Sequence, residues 1–200
     1  MKDYTHICVV LDASGSMASI EDDTRGSFNS FMKAQREAGG RTVFDLFQFS
    51  DKVKRIVERA DLSDFREDLM AKYRCSGCTA LNDAVCTAID TLGREFSDMR
   101  EDERPENVIF AIITDGMENA SREFTTEDVR RRITEQREKY NWDFQFLAAN
   151  QDAFASGGRM GIGSENCANF VPDGKGVKEM CCFLCDRIEH FKASKKEKRT

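Results

Sequence analysis

Residues 7–17 of the chain read ICVVLDASGSM. The apolar run at 7–11 predicts a buried strand. Directly after it, one carboxylate and two hydroxyls, from Asp12, Ser14 and Ser16, lie on a turn, and a helix is predicted to begin just beyond. Oxygen ligands at the end of a rigid strand suit a hard cation such as Mg²⁺. Because Asp-x-Ser-x-Ser is a short motif, its interpretation depends on whether distant segments supply further ligands.

Strand and helix signals alternate along the rest of the chain. The predicted strands cover residues 6–11, 42–50, 53–60, 107–114, 142–149 and 167–171, and the predicted helices cover 22–38, 64–72, 80–96, 125–140, 151–159 and 177–191. The continuous apolar run within 107–114 is typical of a central parallel strand, whereas the more polar 53–60 favours an edge strand.

This order predicts an α/β fold of Rossmann-like type. We expect a doubly wound, mainly parallel six-stranded sheet with one antiparallel edge strand and helices on both faces. Such sheets bind ligands beyond the carboxyl ends of their strands, where the strand order reverses. Residues 1–191 are predicted to form a single domain, followed by a basic and flexible tail at 192–200.

Composition narrows the possible partners. The 200 residues are 40% hydrophobic, and the formal net charge is −6. An acidic balance argues against a general nucleic-acid binder. No apolar run approaches the length of a membrane span, and no signal peptide is recognisable at the N-terminus, so the sequence predicts a cytoplasmic protein without membrane contact.

The eight cysteines are expected to be reduced thiols, since no secretion signal is recognised. An alternative is a zinc site in which Cys75 and Cys78 join thiolates from the C-terminal group of Cys181, Cys182 and Cys185. Helical spacing in 177–191 instead favours Cys181 as a core residue.

Three segments together resemble a known family. The turn after the first strand reads DASGS at 12–16, residues 77–81 read GCTAL before a predicted helix, and 114–116 read TDG at the end of the predicted central strand. They resemble the metal-ion-dependent adhesion site (MIDAS) of von Willebrand factor type A (vWA) domains, and the order of elements fits nearly the whole chain. Residues 114–121 and 147–152 are, more narrowly, similar to stand-alone bacterial or phage vWA proteins.

The resemblance implies a ligand set. Ser14, Ser16 and Thr79 would bind Mg²⁺ directly through hydroxyls, while Asp12 and Asp115 would act largely through bound water and by hydrogen-bonding the serines. Mn²⁺ suits the same ligands. Two carboxylates balance the cation, and an open coordination position would accept a Glu or Asp side chain of a protein partner. The alternative for the first motif is a turn with a helix N-cap, and Thr79 would cap the next helix.

Five further residues are candidates for the rim of this site: Asp83, Glu118, Asn119, Asn150 and Asp152. Asn150 and Asp152 follow the strand expected beside the Asp115 strand, and their alternative is a helix cap. Glu118 and Asn119 lie in the loop after Asp115, where solvated loop residues are the alternative. Asp83 would orient the loop or favour a helix N-terminus.

The absence of catalytic signatures favours a binding module over an enzyme. The chain has no phosphate-binding P-loop, and a phosphatase with an Asp nucleophile would require Asp-x-Asp where Ser14 stands. Neither His6 nor His190 follows a strand, so both are expected to be structural or exposed. We therefore predict a non-catalytic, metal-dependent protein-binding module. A Mg²⁺-dependent phosphoester hydrolase using Asp12 or Asp115 and a scaffold with a vestigial metal site are the alternatives, and the sequence indicates no oligomeric state.

Overall fold

The computed structural model describes residues 4–64 and 68–197, and it describes side chains as far as residue 194. The strands are β1 (Tyr4–Asp12), β2 (Arg41–Phe49), β3 (Val53–Asp61), β4 (Asn107–Thr114), β5 (Asp143–Ala148) and β6 (Cys167–Asn169). The α-helices are α1 (Glu21–Glu37), α2 (Leu81–Asp98), α3 (Thr126–Tyr140), α4 (Ala153–Arg159) and α5 (Gly174–Glu197).

The six strands form one sheet in the order β3-β2-β1-β4-β5-β6. Every neighbouring pair is parallel except β2 and β3, which are antiparallel. The predicted fold class, including the antiparallel edge strand, is therefore confirmed. All residues of β1 and β4 are buried because helices cover both faces of the central strands.

Two apolar clusters lie on opposite faces of the sheet. One contains α1 and α5, represented by Phe28 and Leu184, and the other contains α2 and α3, represented by Ile89 and Ile133. The chain proceeds from β1 towards β2 on one side and from β4 towards β5 on the other. The strand order therefore reverses between β1 and β4, and their carboxyl ends form the switch point where such sheets bind ligands.

Several predicted boundaries need correction. Residue 64 and residues 69–72 form turns rather than the predicted helix, and 65–67 lie outside the described residues. Asp68 accepts a hydrogen bond from the backbone N–H of Met70, 2.9 Å away, and such local bonds compete with helix formation. The helix α5 continues to Glu197, so residues 192–197 of the predicted tail are helical.

One buried cluster of charged residues lies away from the switch point. His6 Nε2 is 2.7 Å from Asp45 Oδ2, and both residues have no exposed surface. Arg55 binds Asp45 Oδ1 at 2.6 Å and also pairs with Glu95. Burial alone would raise the pKa of Asp45, but the hydrogen bonds from His6 and Arg55 outweigh it and lower this pKa.

Burial lowers the pKa of His6, and this effect outweighs the hydrogen bond and the charge of Asp45, which would raise it. Within the described structure its Nδ1 has no hydrogen-bond partner, which suits a neutral ring that donates from Nε2 alone.

We expect the free energy of unfolding to fall as the pH drops from 7 to 5. The unfolded chain protonates His6 near its usual pKa of about 6.5, whereas the lowered pKa of His6 in the folded chain disfavours protonation. This difference lowers the free energy of unfolding by up to about 1.4 kcal/mol for each pH unit below 6.5. The variant His6→Gln should lose less stability over this range, as measured by urea unfolding. Equal pH dependence of the two proteins would contradict a neutral buried His6.

Candidate metal centre

The carboxylate of Asp12 joins the ends of the two central strands. Its Oδ2 accepts a hydrogen bond from the hydroxyl of Thr114, at the end of β4, at 2.6 Å. Its Oδ1 accepts a hydrogen bond from the backbone N–H of Ser14 at 2.7 Å. The hydroxyl of Tyr73 donates to the main-chain oxygen of Asp12. Asp12 has no exposed surface, so its charge is held in the interior by these donors.

The hydroxyls of Ser14 and Ser16 connect the first motif to the second carboxylate, that of Asp115. Ser14 Oγ and Ser16 Oγ are 3.0 Å apart, and Ser16 Oγ donates to Asp115 Oδ1 at 2.6 Å. Ser14 is 2% exposed, whereas Ser16 is exposed. Ser16 of the first motif and Asp115, about 100 positions later in the chain, are therefore in direct contact.

No side-chain capping bond supports the N-cap alternative at Ser14 or Thr79. A 3₁₀ helix, Gly15–Ile20, follows the motif before α1 begins, and Ser14 makes no side-chain capping bond to it. The N-cap of α2 is Ala80 rather than Thr79, and it also lacks a side-chain capping bond. The hydroxyls of Ser14 and Thr79 are thus not used to cap helices.

Thr79 reaches the same edge through the loop at 75–80. The carbonyl oxygen of Gly77 accepts a hydrogen bond from Gly15 N at 3.0 Å, which ties this loop to the first motif. A Cβ atom on Gly116 would lie 3.3 Å from Thr79 Oγ1. The hydroxyl of Thr79 therefore lies against the residue after Asp115, and the glycine leaves room for it.

The predicted rim residues Asp83, Glu118 and Asn119 brace the loop that follows β4. Asn119 Oδ1 accepts from Thr79 N at 3.0 Å, and Glu118 accepts from Asn82 N and Ser121 N at 2.8 Å each. Asp83 accepts backbone N–H groups of residues 122–124 at 2.9–3.0 Å. These side chains fix the loop through its backbone.

Asn150 and Asp152 make different contacts, and each fits one of the two alternatives, a rim position or a helix cap. Asp152 is the N-cap of α4 and accepts from Phe154 N and Ala155 N. Asn150 has a φ of 54° and donates from Nδ2 to the main-chain oxygen of Asp115 at 3.2 Å. Its neighbour Gln151, which sequence analysis missed, donates to Gly116 O at 2.7 Å. Asn150 therefore lies beside the candidate centre, whereas Asp152 has a local structural role.

Thr114 and Tyr73 were also missed as supports of Asp12. Thr114 lies within the Thr-Asp-Gly segment, so its position next to Asp115 was the available signal. Nothing in the sequence around Tyr73 indicated that its hydroxyl would reach the first strand.

The electrostatics of the centre favour a cation. Burial raises the pKa of Asp12, hydrogen bonds from Thr114 and Ser14 oppose the rise, and the charge of Asp115 adds to it. A divalent cation would relieve both the desolvation and the repulsion between the two carboxylates. The hydroxyl and carboxylate oxygens fit Mg²⁺ or Mn²⁺ by donor type.

The zinc alternative finds no support among the described residues. They contain no group of three or more His, Cys, Asp or Glu side chains placed to hold a metal ion. Cys181 is 6% exposed and belongs to the apolar cluster of α1 and α5, in agreement with its predicted core position. A centre with only two carboxylates and three hydroxyls is of a different kind from such clusters.

Comparison with known proteins gives similarity at the level of structure. No family model and no curated protein matches the chain. The PilB minor pilin from Streptococcus sanguinis aligns with a TM-score of 0.67 and 12% identity over 94% of this chain. The von Willebrand factor type A protein from Catenulispora acidiphila aligns with a TM-score of 0.61 and 12% identity over 91% of this chain.

The chain has a vWA-like fold. Proximal thread matrix protein 1 from the mussel byssus, with a TM-score of 0.62 and 16% identity over 88% of this chain, is also similar. Another structure of that mussel protein has zinc in its MIDAS motif. The chain spans 62%, 42% and 44% of the pilin, Catenulispora and mussel chains, respectively. In the described part of the vWA-like chain, no helix has the length and apolar character of a membrane span.

We expect Thr114→Val to lower the free energy of unfolding by about 1–3 kcal/mol in metal-free buffer, because a buried carboxylate loses a hydrogen-bond donor. Urea unfolding measures the change. Thr91→Val is the matched control, since its hydroxyl donates at 2.7 Å to the carbonyl oxygen of Thr87 within α2. Equal effects of the two substitutions would contradict a special dependence on the donor to Asp12.

Proposed function

We propose that this protein is a non-catalytic, metal-dependent protein-binding module. The observation that carries the proposal is the group of Ser14, Ser16 and Thr79 with two carboxylates at the switch point, where neither the Ser14 hydroxyl nor the Thr79 hydroxyl caps a helix. Side chains that do not stabilise the local backbone are available for a ligand. The resident ion would be Mg²⁺, with Mn²⁺ as the alternative.

In this proposal the three hydroxyls hold the ion directly, and Asp12 and Asp115 supply charge, largely through water. When bound, the ion provides an electrophilic position that accepts an oxygen of a partner's Glu or Asp. The protein supplies rigidity, since the buried strands β1 and β4 fix both carboxylates. The zinc-occupied MIDAS of the similar mussel protein supports a divalent cation here. Cytoplasmic location and bacterial or phage origin stay predictions from the sequence.

The geometry makes a phosphoester hydrolase the weaker candidate. Asp12 has no exposed surface and both its oxygens accept hydrogen bonds, so this carboxylate is poorly placed to attack a substrate directly. Asp115 accepts from Ser16, and His6 pairs with Asp45 in the separate buried cluster. A general base is therefore not apparent at the described centre. Mg²⁺-dependent hydrolysis of p-nitrophenyl phosphate that Asp12→Asn abolishes would favour the hydrolase instead.

We expect millimolar Mg²⁺ or Mn²⁺ to raise the melting temperature relative to buffer with a chelator. A ligand that binds only the folded state at 100 times its Kd stabilises it by about 2.7 kcal/mol. Thr79→Ala should abolish the shift, because it removes a ligand without touching the carboxylates. Differential scanning fluorimetry measures the effect.

Thr91→Ala is the matched control for this experiment. It removes a threonine hydroxyl from α2, away from the centre, and should retain the full shift. An unchanged melting temperature of the native protein in millimolar metal would contradict the metal centre. Partner binding that is unchanged when a chelator removes Mg²⁺ would instead favour the scaffold with a vestigial metal site.

A further inference from the structure

Large exposed apolar side chains are unevenly distributed over the described surface. Four stand out: Met117, Tyr140, Phe154 and Val171, with exposed fractions of 68%, 58%, 47% and 60%. Tyr140 ends α3, at the edge of the sheet where β5 begins. The other three follow the carboxyl ends of β4, β5 and β6, which is the edge that carries the metal centre. Single exposed apolar residues are ordinary, but three at one edge of a sheet mark a candidate contact surface.

Hydrogen bonds hold the three loops side by side. Gln151 from the loop after β5 donates to Gly116 O at 2.7 Å, one residue before Met117. The backbone N–H of Ala153, next to Phe154, donates to Asn169 Oδ1 at 3.0 Å. Neighbouring strands lie about 4.8 Å apart, so the carboxyl ends of β4 and β6, with β5 between them, are separated by roughly 10 Å. We call Met117, Phe154 and Val171 the apolar row.

The apolar row begins in the loop that carries Asp115 of the candidate metal centre. Met117 is two residues after Asp115, and Asn150 in the next loop binds the main-chain oxygen of Asp115. A chain whose carboxylate reached the ion would therefore pass over the apolar row if it ran towards β6. Within the described structure, no side chain covers enough of these three residues to bury them.

The charge of this edge distinguishes between a membrane surface and a protein segment as the binding partner of the apolar row. Asp152 and Asp173 are exposed within the same loops, and the whole chain carries a formal net charge of −6. An anionic membrane surface would be repelled at this edge. A protein segment with one carboxylate for the ion and uncharged apolar side chains for the apolar row is compatible with these charges.

We propose that the apolar row selects the partner. The occupant is an extended protein segment in which a Glu or Asp binds the ion and large apolar side chains contact Met117, Phe154 and Val171. At about 3.3 Å per residue, these apolar side chains lie within about four positions of the acidic residue. This inference rests on the proposed metal-dependent function and adds the sequence class that the centre recognises.

The test uses the full chain and a random dodecapeptide library displayed on phage. Peptides are selected in Mg²⁺ and eluted with a chelator, and the best one is synthesised for affinity measurements by calorimetry. We expect an acidic residue with a large apolar residue within four positions. Met117→Ser and Phe154→Ser should each weaken binding about tenfold, in the manner of contact residues at an interface.

Tyr140→Ser is the matched control, since it removes an equally exposed apolar side chain from the opposite edge. It should leave affinity unchanged, and all three serine variants should keep the melting shift in Mg²⁺. The inference is overturned if no peptide is released by the chelator, if acidic peptides lack apolar neighbours, or if Phe154→Ser binds as well as Tyr140→Ser. Loss of the Mg²⁺ melting shift in the native protein would overturn the proposed function as well, so the two failures are distinguishable.

Discussion

The buried carboxylate of Asp12 is the constraint on which the candidate centre depends. It has no contact with solvent, yet it accepts hydrogen bonds from Thr114 and from the backbone of Ser14. Strands β1 and β4 are therefore joined through one charged group at the point where the strand order reverses. A charge held in this way raises the energy of the metal-free state and favours a cation.

The loops around this carboxylate are braced through their backbones. Asp83 and Glu118 accept main-chain N–H groups, and Gly15 is tied to Gly77. The hydroxyls of Ser14 and Thr79 are left without a capping role. In the proposed site this arrangement would keep weak neutral ligands in position, because a rigid surrounding lowers the entropy that is lost when an ion binds.

The fold could be predicted from the sequence because the strong signals are local. The apolar runs of β1 and β4 indicate central strands, and the polar β3 indicates an edge. The segment around Asp68 was misassigned as a helix because side-chain bonds to the backbone, such as that to Met70 N, leave little trace in hydrophobic periodicity.

The sequence predicts candidate ligands for the site but not the residues that support them. Asp12, Thr79 and Asp115 lie in recognisable segments, and the structure brings these segments together. The contribution of Tyr73 depends on long-range packing, which spacing along the chain does not reveal. Asp152 caps α4, in agreement with the alternative that the sequence left open for it.

The central claim is that one divalent cation binds among Ser14, Ser16 and Thr79. A crystal structure of the protein grown with Mn²⁺, with anomalous scattering data, tests it most directly. We predict one strong anomalous peak in contact with these three hydroxyl oxygens, within reach of Asp12 and Asp115 through water. A map with no peak there, or with its strongest Mn²⁺ peak elsewhere, would contradict the account.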